Sequence, residues 1–269
     1  TLNNLGIEPT DAQRLEAIIY NPTGLILVTG PTGSGKSSSL YAILNELNSD
    51  DVNIVTAEDP VEYKLDGLTQ VSCTAETGLT FNAALRSFLR QDPDIIMVGE
   101  IRDSETADIS LKAAMTGHLV LSTLHTNDAA GAINRLVNMG IPPYLVASAQ
   151  VTVIAQRLMR CLCEKCKIAY EPEVEILKVL EITPGTIRMY KAVGCPECFG
   201  TGYNGRMGIY ELLQVNDRII DLVLDNQPAK VLKNAAVEDG MTTLRKAAIH
   251  KLAAGTTTIE EVLRVTMDS

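Results

Sequence analysis

Four short apolar runs alternate with amphipathic stretches over the first half of the chain. The runs are LILVT, NIVTA, DIIMV and HLVLST, and the stretches between and after them have apolar residues at helical spacing near 36–48, 81–91, 104–116 and 127–138. Continuous apolar runs rich in β-branched residues are typical of strands buried on both faces. The pattern therefore predicts an α/β fold built on a parallel sheet.

The character of the chain changes after residue 160. Residues 161–205 carry cysteines and glycine-rich turns with little periodicity, whereas the remainder, from VNDRIIDLVL to TTTIEEVLRVT, has helical patterning. We expect three parts: a core over 1–160, a small cysteine module over 161–205 and a mainly helical C-terminal subdomain over 206–269.

A glycine-rich loop follows the first apolar run. Gly30, Gly35, Lys36 and Ser37 fit the pattern G-x-x-x-x-G-K-[ST], with a predicted strand before and a predicted helix after. In such a loop backbone N–H groups surround phosphate oxygens, the lysine reaches the β and γ phosphates, and the serine hydroxyl binds Mg²⁺. We expect a nucleoside triphosphate here rather than a chance glycine-rich turn. The other residues predicted to bind it are Pro31, Thr32, Gly33, Ser34 and Ser38.

Polar residues follow the other predicted strands. They are Glu58, Asp59, Glu100, Thr123 and His125. The carboxyl ends of parallel strands meet at one edge, so these residues belong beside the loop, while Asp94 and His118 begin their strands and belong at the far edge. We expect Glu100 to be the acidic partner of Mg²⁺. The alternatives are solvated strand-end carboxylates for Glu58 and Glu100 and a helix cap for His125.

Three arginines lie near these residues. Arg86 and Arg90 are four apart in LRSFLRQDPD, and Arg102 follows in GEIRD. Such residues can form surface salt bridges, or they can reach the γ phosphate of a neighbouring subunit.

Two C-x-x-C pairs dominate the cysteine module. Cys163 with Cys166 and Cys195 with Cys198 can present four thiolates to one Zn²⁺ in a closed tetrahedral site. Cys73 and Cys161 are left over, although the CLC sequence allows Cys161 to replace its neighbour. A redox dithiol is the alternative, but it needs only one pair.

Composition narrows the function. The net charge of -10 argues against nonspecific binding to nucleic acid or anionic lipid, and the lack of Trp argues against base stacking. No stretch approaches the ~20 apolar residues that span a bilayer, and the start has no secretory signal, so we expect a soluble cytosolic protein. Because it begins with Thr1, we expect a fragment of a longer chain.

The motifs together resemble the GspE/PilB secretion ATPases of type II secretion and type IV pilus assembly. The motifs are GPTGSGKSSSLY, TAEDPVEY, LRSFLRQDPDIIMVGEIRD, TGHLVLSTLHTNDA, CEKC, CPECFGTGYNGRMGIYEL, GMTTLRKAA and GTTTIEEVLRV, in the order of the family and over nearly the whole chain. The resemblance implies the C-terminal ATPase domain with a RecA-like core. It also implies ATP hydrolysis with Mg²⁺ in a homo-hexamer that drives pilin or pseudopilin assembly. The resemblance further implies that platform and adaptor proteins bind the ATPase at the cytoplasmic face of the inner membrane. It implies no insertion of the ATPase itself into the membrane.

The resemblance also implies roles for individual residues. Glu58 orients or deprotonates the attacking water, Glu100 is the carboxylate on the metal side, and His125 senses phosphate, with His118 ranked below it. Arginines that serve nucleotide contacts and subunit coupling are Arg86, Arg90, Arg102, Arg135 and Arg206. In this family an N-terminal domain completes the site, and only a short segment precedes the P-loop here.

Three other functions are alternatives to an assembly or secretion ATPase. Pilus retraction ATPases are the nearest, but as a family they usually lack the tetracysteine module. A helicase or DNA-packaging motor is disfavoured by the acidic charge and the few aromatic residues. A nucleotide-binding scaffold without hydrolysis is the non-enzymatic alternative.

Overall fold

A seven-stranded mixed sheet organises the chain. The structure is a computed structural model that describes residues 5–74, 78–183 and 185–267. The strands of the sheet are β1 (Gly24–Thr29), β2 (Ile54–Glu58), β3 (Thr69–Ser72), β4 (Ile95–Val98), β5 (Leu119–Leu124), β6 (Val151–Leu162) and β9 (Tyr203–Gln214), in the spatial order β3-β2-β4-β5-β1-β6-β9. A separate antiparallel hairpin pairs β7 (Ile168–Tyr170) with β8 (Met189–Lys191).

Helices cover both faces of the sheet and form the C-terminal part. They are α1 (Pro9–Ile19), α2 (Lys36–Leu47), α3 (Phe81–Phe88), α4 (Ser104–Met115), α5 (Ala129–Asn138), α6 (Pro143–Ser148), α7 (Val174–Val179), α8 (Asp217–Leu224), α9 (Ala229–Glu238), α10 (Leu244–Ala253) and α11 (Ile259–Thr266). Side chains that cap their first turns include Asp103, Asp128 and Thr258, each accepting from the N–H three residues on. Within the described ranges, no helix is both long and apolar enough to cross a bilayer.

The central strands are buried on both faces, as their sequence predicts. Side chains alternate, so that Leu25 and Leu27 pack with helices α3 to α5 while Ile26 and Val28 pack with α1 and α2. All residues of β1, β2, β4 and β5 are buried. The α/β fold class is confirmed, together with the cysteine cluster and the C-terminal helices.

Three strands of the seven-stranded sheet were not predicted, and neither was the hairpin of β7 and β8. β6 and β9 form a long antiparallel pair at one side of the sheet, so the sheet is not parallel throughout and residues 206–214 are strand rather than the start of a helical region. The first half of β9 is polar, exposed and contains glycine, which hides its strand pattern, and β3 is short with a partly exposed sequence. The proposed boundaries after 160 and 205 therefore fall within strands, and the three-part division stays a prediction.

Candidate functional site

The loop between β1 and α2 requires glycine at two positions. Gly30 and Gly35 have φ of +148° and +89°, values that side-chain-bearing residues rarely adopt. A Cβ on Gly30 would lie 2.4 Å from the backbone oxygen of Gln156, and one on Gly35 would lie 2.9 Å from the Gln156 amide nitrogen. Strand β6 therefore supports the loop from behind.

Lys36 begins helix α2 and curls back over the loop. Its Nζ donates to the carbonyl oxygens of Gly30 and Pro31 at 2.9 and 3.1 Å. Burial lowers the pKa of Lys36, and the nearby Glu100 carboxylate opposes this shift. The buried Ser34 hydroxyl has no hydrogen-bond partner among the described residues. A cation, an unpaired buried hydroxyl and the positive end of a 12-residue helix fit an anionic ligand such as phosphate.

A cleft of about 770 Å³ opens beside this loop. It brings together four of the candidates selected from sequence, namely Lys36, Glu58, Glu100 and His125. Further residues that line it are Thr32, Gly33, Gly35, Ser37, Ser38, Asp59, Arg102, Thr123 and Arg206. The carboxyl ends of β1, β2, β4 and β5 thus form one polar edge, as the order of the strands requires.

Glu58, the last residue of β2, is buried and hydrogen-bonded by three side chains. Its Oε1 accepts from Thr56 Oγ1 at 2.6 Å and from Gln70 Nε2 at 3.2 Å, and its Oε2 accepts from the Tyr41 hydroxyl. Glu58 is only 4% exposed, so it is not a solvated strand-end carboxylate. These contacts hold a buried acceptor group within the cleft.

Glu100 contacts two basic side chains. Its Oε1 lies 3.1 Å from His125 Nε2, and its Oε2 accepts from Arg102 Nε at 2.7 Å, a bond that raises the pKa of Arg102. His125 does not cap α5, because Asp128 Oδ1 accepts from Gly131 N at 2.9 Å and fulfils that role. Glu100 and His125 therefore form one polar cluster at the cleft.

Three predicted arginines lie outside the cleft of this chain. Arg86 forms an ion pair with Glu105 of α4 at 2.9 Å, and both side chains are more than half exposed. Arg90 and Arg135 are exposed as well. The alternative of a surface salt bridge describes Arg86 in the isolated chain, and a role toward a neighbouring subunit stays a prediction for all three.

Asp94 and His118 lie at the opposite edge of the sheet. Asp94 Oδ2 accepts from Asn53 N at 2.7 Å, and the carbonyl of His118 accepts from Gly24 N, at the start of β1. Because β1 runs from Gly24 to Thr29, His118 is a strand length away from the glycine loop. His118 therefore does not line the cleft, whereas His125 does.

The four cysteines of the two C-x-x-C pairs converge. Their sulfur atoms all lie within 4.8 Å of one another, with Cys163 and Cys195 3.8 Å apart and Cys166 and Cys198 3.9 Å apart. Four sulfurs around Zn²⁺ at about 2.3 Å are separated by about 3.8 Å in a regular tetrahedron, so the cluster fits this ion. Cys161 and Cys73 are not part of the cluster.

Backbone N–H groups support one of these sulfurs. Cys195 N and Gly202 N each donate to the Cys198 sulfur at 3.2 Å. Burial raises the pKa of the Cys198 thiol, but these hydrogen bonds, with those from the Cys195 and Cys166 thiols, outweigh it and lower the pKa to about 6, while burial and the neighbouring thiols raise the pKa of Cys166 to about 11. A thiolate is the form of cysteine that binds metal.

Sequence reasoning missed several residues of the cleft and its support. Tyr41 reads as an ordinary apolar position of helix α2, and Gln70 lies on the unpredicted strand β3. Gln156, which accepts from Ser39 Oγ at 2.7 Å, lies on the unpredicted β6. The β-branched run VTVIA before Gln156 was the available signal for that strand.

Comparison with known proteins agrees with this architecture. The profile of the Type II/IV secretion system protein family matches residues 1–264. The chain belongs to this family. It is 48% identical over 99% of its length to the type IV pilus assembly ATPase PilB of Thermus thermophilus, and 46% identical over 100% of its length to the type II secretion system ATPase E of Vibrio cholerae. Its homologues are therefore secretion and pilus assembly ATPases.

Solved structures also resemble this chain. The chain aligns over 99% of its length with the pilus retraction motor PilT bound to ADP, with a TM-score of 0.74 and 29% identity, covering 67% of that chain. The chain spans 30% of the Thermus protein and 53% of the Vibrio protein. It thus corresponds to a part of these family members.

Proposed function

We propose that this chain binds ATP in the cleft and hydrolyses it to drive pilin or pseudopilin assembly. The observation that carries the proposal is the meeting of the Lys36 loop with Glu58, Glu100 and His125 in one cleft. The high identity to assembly and secretion ATPases over nearly the whole chain supports the reaction and the process.

The side chains of the cleft have separate tasks in this reaction. Lys36 and the N–H groups of the loop hold the phosphates, and Ser37 and Glu100 would hold Mg²⁺, which supplies positive charge beside the phosphate oxygens. Water attacks the γ phosphorus as the bond to the bridging oxygen breaks, and Glu58 orients this water or accepts its proton. His125 beside Glu100 is placed to respond to the γ phosphate.

Assembly is favoured over retraction by two observations. Identity to the assembly ATPase PilB is 48%, against 29% to the retraction motor PilT. All four cysteines of the cluster are present here. The family resemblance implies that retraction ATPases usually lack this cluster. The active form we propose is a hexamer at the cytoplasmic face of the inner membrane, where Arg86, Arg90 and Arg135 reach neighbouring subunits and platform and adaptor proteins bind.

We also propose that Cys163, Cys166, Cys195 and Cys198 hold one structural Zn²⁺. Four thiolates complete the tetrahedral coordination and leave no position for a substrate, so the metal supports folding rather than catalysis. The sulfur separations near 3.8 Å support this proposal.

Two substitutions test the ATPase proposal. Lys36→Ala should abolish turnover, because the loop loses its fixed cation beside the β and γ phosphates. Glu58→Gln should keep ATP affinity within about twofold and lose about 100-fold or more in turnover, because its carboxylate acts on the water. Phosphate release with and without Mg²⁺ and binding of a fluorescent ATP analogue measure both.

The control is Lys230→Ala, which removes an exposed lysine of α9. It should match the unmodified chain in both measurements. Undiminished hydrolysis by Lys36→Ala would refute the site, and parental turnover by Glu58→Gln would move the base to another carboxylate, with Glu62 next in line. Binding of ATP without Mg²⁺-dependent phosphate release by the unmodified chain would favour the scaffold, and stimulation by single-stranded DNA would favour the helicase.

A further inference from the structure

Tyr41 links the helix of the P-loop to the Glu58 carboxylate at the end of β2. It lies on α2 five residues after Lys36 and is only 2% exposed. Its hydroxyl donates to Glu58 Oε2 and accepts from Glu62 N at 3.2 Å. One phenol thus contacts both the buried carboxylate and the loop that leads away from it.

The hydrogen bonds to Glu58 are divided unequally between its two oxygens. Thr56 and Gln70 both donate to Oε1, whereas Tyr41 is the donor to Oε2 among the described residues. A carboxylate has about four acceptor positions, so three donors leave room for one more, such as a water molecule. The direction in which Oε2 accepts therefore depends on Tyr41.

The Tyr41 hydroxyl keeps its proton at neutral pH and therefore remains a hydrogen-bond donor. Burial raises the pKa of Tyr41, and the hydrogen bond to Glu58 raises it further, so the hydroxyl keeps its proton. Its ring also packs edge-on against Tyr63, with centroids 4.6 Å apart and an interplanar angle of 80°. Packing and hydrogen bonding together fix the position of the hydroxyl.

A single rigid element therefore carries both the phosphate-binding cation and the donor that orients Glu58. Lys36 and Tyr41 lie on the first two turns of the same 12-residue helix, so their separation is constant. We infer that Tyr41 is a positioning residue, which fixes the Glu58 carboxylate relative to the phosphates through its hydroxyl. This inference rests on the proposed role of Glu58 in ATP hydrolysis.

Tyr41→Phe removes the hydroxyl and keeps the ring. We expect kcat to fall about tenfold with KM within about twofold, because misorientation of the base slows the chemical step while the phosphate-binding loop stays intact. In a Glu58→Gln background the same substitution should cause no further loss, because Tyr41 acts through Glu58. A double-mutant cycle of steady-state phosphate release measures this coupling.

Tyr203→Phe is the matched control. The Tyr203 hydroxyl contacts Thr258 Oγ1 at 3.0 Å, and neither residue lines the cleft. It should lose a similar amount of thermal stability and retain the parental kcat. Because Tm reports the structural loss in both variants, a kcat effect confined to Tyr41→Phe identifies positioning.

The outcomes separate the two proposals. If Glu58→Gln is inactive but Tyr41→Phe keeps the parental kcat, the inference about Tyr41 is wrong and the ATPase proposal stands. Additive losses in the double variant would also overturn the inference, since a purely structural tyrosine acts independently of Glu58. If Glu58→Gln itself is fully active, the proposed role of Glu58 fails first.

Discussion

Glu100 is the residue at which three basic groups of the cleft converge. Arg102 and His125 contact its two oxygens at 2.7 and 3.1 Å, and its charge opposes the fall in the pKa of Lys36 that burial causes. The side chain remains 20% exposed, so it is reachable from the cleft. A partly exposed carboxylate of this kind can exchange a protein partner for a hydrated metal ion.

This arrangement predicts a metal-dependent defect for Glu100→Gln. We expect turnover to fall at least tenfold and the Mg²⁺ concentration for half-maximal turnover to rise, because a neutral amide binds Mg²⁺ more weakly than a carboxylate. Phosphate release over a Mg²⁺ titration measures both effects. Glu46→Gln, an exposed position of α2, is the control. An unchanged Mg²⁺ requirement in Glu100→Gln would contradict a metal-side role.

Among individual residues, the sequence locates those that lie at the ends of predicted strands. Glu58, Glu100 and His125 follow apolar runs within two residues, so the rule that parallel strands share a carboxyl edge locates them. Tyr41 could not be found this way, because a tyrosine within an apolar helix face resembles any core residue until its hydroxyl partner is known. The roles toward a second subunit that we propose for Arg86 and Arg90 are equally beyond the structure of a single chain.

The elements differ in how clearly their sequences predict them. β1, β2, β4 and β5 are fully buried, and their continuous apolar runs predict them within a residue or two. β6 and β9 have exposed segments and pair with each other over most of their length, a contact that no local pattern encodes. The cysteine spacing predicted its cluster because C-x-x-C geometry is local.

The cysteine cluster predicts that the zinc content depends on which cysteine is replaced. Cys195→Ser should lose the metal and destabilise residues between about 160 and 205, because three thiolates close the site poorly, while ATP binding at the distant loop persists. Cys161→Ser should keep about one zinc per chain, because Cys161 lies outside the cluster. Elemental analysis of protein purified without chelator decides between these results. Metal-free folded protein with reactive thiols would contradict the zinc proposal.

For the whole molecule, an ion-pair cluster around a buried carboxylate joins the last helix to the sheet. Glu261 of α11 accepts from Arg160 of β6 at 2.7 Å and from Arg264 at 2.7 Å, and its side chain is fully buried. Burial raises the pKa of Glu261, but the two guanidinium groups outweigh this and lower it to about 2. The charged carboxylate therefore stabilises the folded chain.

This cluster predicts a loss of stability in acid. Because the folded pKa of Glu261 lies below its usual 4.5, the contribution is present above pH 4.5 and is lost as pH falls toward about 2. Glu261→Gln should lower the free energy of unfolding by about 2 kcal/mol at neutral pH and weaken its dependence on pH in this window. Urea unfolding at several pH values measures both, with the exposed Glu260→Gln as control. Equal pH profiles for the unmodified chain and Glu261→Gln would contradict this role.

Strand β6 connects two distant parts of the molecule. Gln156, near the middle of the strand, lies against the glycines of the P-loop, and the end of the strand runs into Cys163 of the cysteine cluster. The seven residues from Gln156 to Leu162 span about 20 Å of extended chain. Hydrogen bonds to β9 run along this segment, with a register shift between Arg160 and Leu162. A continuous strand, rather than a flexible linker, therefore joins the phosphate loop to the cysteine module.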